Sequence, residues 1–129
     1  LATQLGYPST EDDLTARLAH LAAAPLHAAW VVEVDGAEVV GFVHCFVDLR
    51  LETDPRCEVG GLVVDEAWRG RGLGRALLDE VEDWARGRGL VHLRLRSNVK
   101  RERAHQLYRA LGFSETKRQV VLDRDLDRR

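Results

Sequence analysis

The stretch Val63-Val64-Asp65-Glu66-Ala67-Trp68-Arg69-Gly70-Arg71-Gly72-Leu73-Gly74-Arg75-Ala76-Leu77 carries the reading of the fold. Before it, Cys57 to Val64 reads as a strand in which Gly60-Gly61 marks a β-bulge or a close backbone approach. After it, Leu73, Leu77, Val81, Trp84 and Ala85 keep to one side of a helix that runs to Arg88 and stops at Gly87 and Gly89. Between the two, Gly70, Gly72 and Gly74 let several backbone N–H groups converge at the positive end of the helix dipole. Such a turn binds an anion, and a pyrophosphate fits it. A bare glycine turn is also an ordinary connection with solvated arginines, but the flanking strand, the helix and Arg69, Arg71 and Arg75 favour the anion.

The spacing rejects two familiar phosphate ligands. A Walker A loop closes on Gly-Lys-Ser/Thr, whereas Gly74 is followed by Arg75 and Ala76. A dinucleotide turn reads G-x-G-x-x-G with an acidic residue about 20 positions on, at the end of the next strand. Here the glycines alternate and that strand ends in Arg96-Ser97.

Working outward, Leu90 to Ser97 alternates Leu93 and Leu95 with Arg94 and Arg96, which predicts a strand parallel to Cys57–Val64 in a βαβ unit. A helix follows over about Lys100 to Leu111, with Ala104, Leu107, Tyr108 and Leu111 on one face and Gly112 as its stop. Gln119 to Leu122 reads as a last short strand. Toward the N-terminus, Ser9 and Thr10 cap a helix from about Glu11 to Ala24, ended by Pro25. His27–Val34 and Glu38–Leu49 form an antiparallel hairpin around Asp35-Gly36, and Leu51–Arg56 is a loop. The expected architecture is α+β: one domain over 1–129, a mixed and mostly antiparallel sheet, a central parallel strand pair and flanking helices.

The bulk properties agree with one compact domain of 129 residues, 45% hydrophobic and 31% charged. A net charge of −2 spread along the chain builds no phosphate-backbone footprint, so nucleic acid is not an expected partner. No apolar run is long enough to span a membrane and no signal pattern opens the chain, so a cytoplasmic location is expected. Cys45 and Cys57 are too few for a disulfide framework or a structural zinc site, and the five histidines lack metal-ligand spacing, so no metal is expected. His44 and His105, tested as general bases, gain no support from the sequence, and Cys57 reads as structural.

Arg69, Gly72 and Gly74 match an R/Q-x-x-G-x-G/A pattern, and the order strand, turn, helix, strand, Ser97-Asn98, Arg103-Ala104-His105-Gln106-Leu107-Tyr108, Leu111-Gly112-Phe113 accompanies it. From about His27 to Leu122 this resembles the GNAT superfamily of N-acetyltransferases. Gly6-Tyr7-Pro8 and the strand from Glu58 to Asp65 look like bacterial members of aminoglycoside or amino-acid type. The departure is at the front: Leu1 is not Met, and the family's opening strand is expected to be missing.

The resemblance implies acetyl-CoA as co-substrate, held where the bulge splays the parallel strands. Its pyrophosphate would sit on the amides of Arg71, Gly72, Leu73, Gly74 and Arg75, with Arg69 and Gly70 completing the turn. Leu62 would bind the acetyl oxygen, Val63 and Val64 the pantetheine amides, and Asn98, Arg103 and Tyr108 would add contacts. Direct acetyl transfer needs a neutral amine, a stabilised oxyanion and a proton for the thiolate. Tyr108 is the expected general acid and Glu58 the expected base through a water, against ordinary roles as a core aromatic and a paired surface carboxylate. Asp48, Glu52, Asp54 and Glu58 would welcome a small cationic amine as acceptor. The alternative is a coenzyme A-binding sensor without turnover, and a homodimer through sheet edges or C-terminal strands is left open.

Overall fold

The computed structural model describes residues 16–127 except 18, 22, 35–37 and 98–101. Contacts divide the chain into two units, Leu1–Arg96 and Ser97–Arg129. The first unit holds a sheet of order β1-β2-β3-β4, formed by β1 (His27–Val34), β2 (Glu38–Asp48), β3 (Arg56–Val64) and β4 (Leu93–Leu95), with helix α1 (Leu73–Gly87) between β3 and β4. The second contains helix α2 (Glu102–Ala110). Residues 16, 17, 19–21 and 23 are helical, in line with the predicted N-terminal helix. Its proposed cap at Ser9 and Thr10, the Asp35-Gly36 turn and Asn98 lie outside the described residues.

The hairpin expectation is met: β1 and β2 are antiparallel, as are β2 and β3. β3 and β4 are parallel through Cys57–Leu93, Glu58–Arg94 and Val59–Leu95. Because side chains alternate across a strand, Val43 and Cys45 of β2 share a face with Cys57, Val59 and Leu62 of β3, and all five are buried. The apolar stripe of α1, Leu77, Leu78, Val81 and Ala85, is buried too. A Cβ placed on Gly41 would come 3.5 Å from Leu77 Cδ1, which puts α1 against this face. Burying each Leu or Val here contributes roughly 1.5–3 kcal/mol.

Both helix stops predicted from glycine are the same device. After α1, Gly89 has φ 76°, its N–H donates to Arg86 O, and Leu90 N–H donates to Ala85 O, both at 3.0 Å. After α2, Gly112 has φ 96°, its N–H donates to Arg109 O, and Phe113 N–H donates to Tyr108 O, again both at 3.0 Å. These are Schellman closures, in which a left-handed residue lets two orphan carbonyls be satisfied. Arg88 fixes the end of α1 further, lying 4.5 Å over Trp84 and donating to Pro25 O at 2.7 Å.

Three expectations are corrected. β4 is shorter than Leu90–Ser97, because its partner strand offers a regular ladder only from Cys57 to Val59. Gln119–Leu122 forms no strand, since no described strand pairs with it, and Val120, Val121 and Leu122 are exposed. Leu107 is exposed, so the apolar face of α2 is narrower than its spacing suggested. Replacing the fully buried Leu78 by Ala, Leu78→Ala, is expected to lower unfolding stability by about 3 kcal/mol. Urea denaturation, showing a lower midpoint at unchanged slope, checks it.

Candidate active site

The site begins with an irregularity in β3. The register runs His44–Gly61 and then Cys45–Val59, so Gly60 is the extra residue of a bulge. The ladder to β4 reaches Val59–Leu95 and goes no further, while β3 continues to Val64. The two strands therefore part at the bulge.

Hydrogen bonding fixes which way the freed backbone points. Asp65 N–H donates to Val40 O at 2.7 Å, so that pair is hydrogen-bonded across β2 and β3. Directly opposed residues of an antiparallel pair alternate between bonded and non-bonded. Val63 with Phe42 is then bonded, whereas Leu62 with Val43 and Val64 with Gly41 turn their backbone groups away from β2. Of the three residues expected to present backbone to the coenzyme, Leu62 and Val64 face away from β2, where among the described residues the ladder to β4 has ended, and Val63 faces β2. The carbonyl of Val64 accepts a hydrogen bond from Arg69 Nε at 3.1 Å.

Past β3, Asp65 caps a short 3-10 turn, Glu66–Trp68, by accepting from Ala67 N–H at 3.0 Å. Gly70 and Gly72 then take φ of 77° and 79°, a region that disfavours side chains. Gly72 is the N-cap of α1, makes no side-chain cap, and no acidic residue occupies the first turn. Ala76 N–H donates to Gly72 O at 3.0 Å. The first turn that follows Gly72 thus has no side-chain cap, and the helix dipole there favours an anion. The arginines are tethered nearby: Arg71 lies 4.5 Å over Trp68, and Arg75 is 3.8 Å from Asp79 and 3.7 Å from Glu82.

Glu58 stands two residues before the bulge, and its Oε1 accepts from Arg96 Nε at 3.2 Å. That is the neighbouring-strand pairing weighed against a base role. Asp48 pairs with Arg50 at 2.9 Å. Glu52 and Asp54 line an open groove of about 620 Å³ with Leu51, Thr53, Pro55, Arg56, Val91 and His92. Within it Thr53 Oγ1 and Arg56 Nε are buried without a hydrogen-bond partner. In the second unit, Arg103 and Tyr108 lie on α2, and the Tyr108 ring meets Phe113 edge-on, 6.4 Å between centroids. This places the tyrosine at the Schellman closure.

Cys45 and Cys57 are free and buried. A hydrogen bond between them, then burial, pushes the Cys45 thiol well up, while the same bond holds Cys57 below its ordinary value; it is the burial of both that suits structural thiols. Sequence reasoning missed a histidine pair: His27 Nδ1 and His44 Nε2 are 3.0 Å apart. Burial first, and the neighbouring His27 second, hold His44 below its ordinary value of 6.5. The signal that could have found it is register, since His27 opposes Phe46 and so lies diagonal to His44. Among the described residues no helix is long and apolar enough to cross a membrane.

With this geometry in view, the model of the acetyltransferase (GNAT) family matches residues 2–113. Aminoglycoside N(6')-acetyltransferase type 1 of Stenotrophomonas maltophilia is 35% identical over 126 residues, spanning 94% of this chain and 81% of that protein. The N-alpha-acetyltransferase RimI of Mycobacterium tuberculosis is 48% identical over 89 residues, 67% of this chain and 52% of that one. Aminoglycoside acetyltransferase AAC(6')-Iy, solved with the bisubstrate analogue CoA-S-monomethyl-acetylneamine, superposes with TM-score 0.83 at 23% identity, over 97% of this chain and 87% of the other. The chain belongs to the acetyltransferase (GNAT) family. It is an acetyl-CoA-dependent N-acetyltransferase with that family's α+β fold.

The depressed His44 value has a consequence for stability. A group whose folded value lies below its unfolded one binds more protons unfolded, so stability is complete above 6.5 and lost as pH falls through the folded value. Unfolding midpoints measured across that window should decline toward acid pH, and His44→Asn should flatten the decline.

Proposed function

We propose that this enzyme acetylates a primary amine of a small polycationic acceptor of aminoglycoside type. The observation that carries this reading is the parting of β3 and β4 at Gly60, which leaves the Leu62 and Val64 backbone on an open edge leading to the uncapped start of α1. A thioester on a pantetheine arm needs that edge, and a pyrophosphate needs that helix end. The acceptor class rests on the aminoglycoside relatives and on Glu52 and Asp54 in the groove before β3. Acidic side chains there would attract a polycation.

In the proposed reaction the amides of Arg71 to Arg75 hold the pyrophosphate, and Gly70 and Gly72 supply the backbone turn that aims them. Leu62 N–H polarises the thioester carbonyl and stabilises the oxyanion as the amine attacks. Val64 binds the pantetheine arm through its N–H, and Asn98 and Arg103 add further contacts. Tyr108 gives its proton to the departing thiolate. Glu58 is the candidate to take the ammonium proton through a water, although its pairing with Arg96 must loosen for it to do so. A second reading, acetylation of a protein's N-terminal amine, is supported by the likeness to RimI. The exposed run Val120–Leu122 supports association of two chains.

Calorimetry with acetyl-CoA, followed by thiol release with neamine or a short peptide, tests the reading. Saturable acetyl-CoA binding that Gly72→Trp abolishes is expected, because Gly72 has φ 79° and stands at the helix start. Tyr108→Phe is expected to keep that binding and lower kcat by about 100-fold. A folded protein that binds acetyl-CoA but releases no thiol with any amine would favour the sensor reading. Preference for the peptide would move the acceptor to protein N-termini.

A further inference from the structure

His27 and His44, which no step so far uses, occupy the sheet face that lies over the bulge. Their ring centroids are 5.3 Å apart with planes within 7°, and with 3.0 Å between Nδ1 of His27 and Nε2 of His44 the rings meet head-on in one plane. This is an in-plane hydrogen bond and not a face-to-face stack. The other nitrogen of His44 turns toward β3: a Cβ placed on Gly60 would come 2.7 Å from His44 Nδ1 and 3.4 Å from Phe46 Cε1. Gly60 itself is exposed, and it is where β3 leaves β4. His44 Nδ1 therefore stands at the mouth of the parting, backed by a second imidazole and roofed by Phe46, 5.7 Å away between centroids.

We propose that His44 is the base that removes the acceptor's ammonium proton, with His27 passing that proton to solvent. The proposal deepens the acetyl-transfer reading and rests on it. In the tautomer with His44 Nε2–H donating to His27 Nδ1, His44 Nδ1 holds a lone pair at the bulge. The ammonium proton moves to that nitrogen, the Nε2 proton moves to His27 Nδ1, and half-buried His27 releases one from Nε2 to water. The free amine then forms the C–N bond at the thioester carbon. As the C–S bond breaks, its electron pair goes to sulfur, which takes a proton from the proposed donor Tyr108, and the second nitrogen proton replaces it.

The surroundings favour a neutral His44. Burial and His27 hold it below 6.5, so its lone pair is available at neutral pH. The charged groups that share this face with it, among the described residues, are Glu33 on β1, Asp48 with its partner Arg50, Arg56 and Glu58 on β3, the latter paired with Arg96, and Arg94 on β4 beside Glu58. Glu58 Oε1 is engaged by Arg96, whereas His44 Nδ1 has the bulge in front of it.

The test is the pH profile of kcat for acetyl-CoA with neamine, and in parallel with a peptide amine, in wild type, His44→Gln, His44→Asn, His27→Asn and Glu58→Gln, each confirmed folded by circular dichroism. Expected for the wild type is an acid limb below 6.5. Both His44 variants should lose the limb and about 100-fold in kcat while still binding acetyl-CoA by calorimetry. His27→Asn should keep the limb but move it up toward 6.5, since one cause of the depression is gone. A limb and rate that persist in both His44 variants, or a limb lost only in Glu58→Gln, overturn the proposal. A wild type that binds acetyl-CoA yet acetylates neither amine fails the parent reading and this one with it. That failure is recognisable because every variant is then equally silent.

Discussion

One extra residue in β3 is the constraint on which the rest of the first unit depends. Without Gly60 the β2–β3 register would continue evenly, and β4 could follow β3 along its whole length. With it, the backbone polarity of β3 changes phase. Cys57 N–H donates across to His92 O at 3.0 Å before the bulge, and after it Leu62 and Val64 are the residues that face that side with no regular ladder to receive them. Buried backbone groups without partners are costly. An edge of this kind persists only where water or a ligand satisfies it, and a ligand carrying amides along its length is well matched to it. Glycine is required at 60 by its neighbour, because the His44 ring occupies the space a side chain would fill.

Helix α1 shows the complementary asymmetry. Its C-terminus is sealed by Gly89, Leu90 and the clamp of Arg88 between Trp84 and Pro25. Its N-terminus has neither a capping side chain nor an acidic first turn. An absent cap costs about 1 kcal/mol, which the four buried side chains of the helix more than offset. The stabilisation thus sits at one end and along one stripe, and the binding potential sits at the other end. Such a division keeps the proposed phosphate site rigid without filling it.

What was legible in the sequence follows from the range of each signal. Periodicity located α1, and glycines located both Schellman stops, because those patterns are complete within a few residues. The bulge was visible in Gly60-Gly61 for the same reason. The features that escaped depend on register between strands. The short β4 is set by where its neighbour bends, the Glu58–Arg96 pair joins residues 38 positions apart, and the His27–His44 bond joins residues 17 apart. His44 looked unsupported because the sequence does not say which strand lies beside it. Val120 to Leu122 has strand composition, but β propensity measures fit to a half-buried surface, and no described strand offers one.

The two substrates proposed here carry opposite charge, and the chain separates what would recognise them. The anion end is built from backbone amides at Gly70 to Arg75, while Arg71 and Arg75 are drawn to Trp68, Asp79 and Glu82. Backbone dipoles at a helix start attract an anion without offering a polycation a carboxylate to bind. The cation end lies before β3, where Glu52 and Asp54 border the groove, and Arg56 begins the strand about 13 Å from Gly60 along the strand. Between these ends β3 would present an amide edge to one substrate, and β1 and β2 the imidazole pair of His27 and His44 to the other. An acceptor amine held at the groove and a thioester held at the edge would meet at residue 60, where the backbone is bent and the His44 ring stands over the glycine.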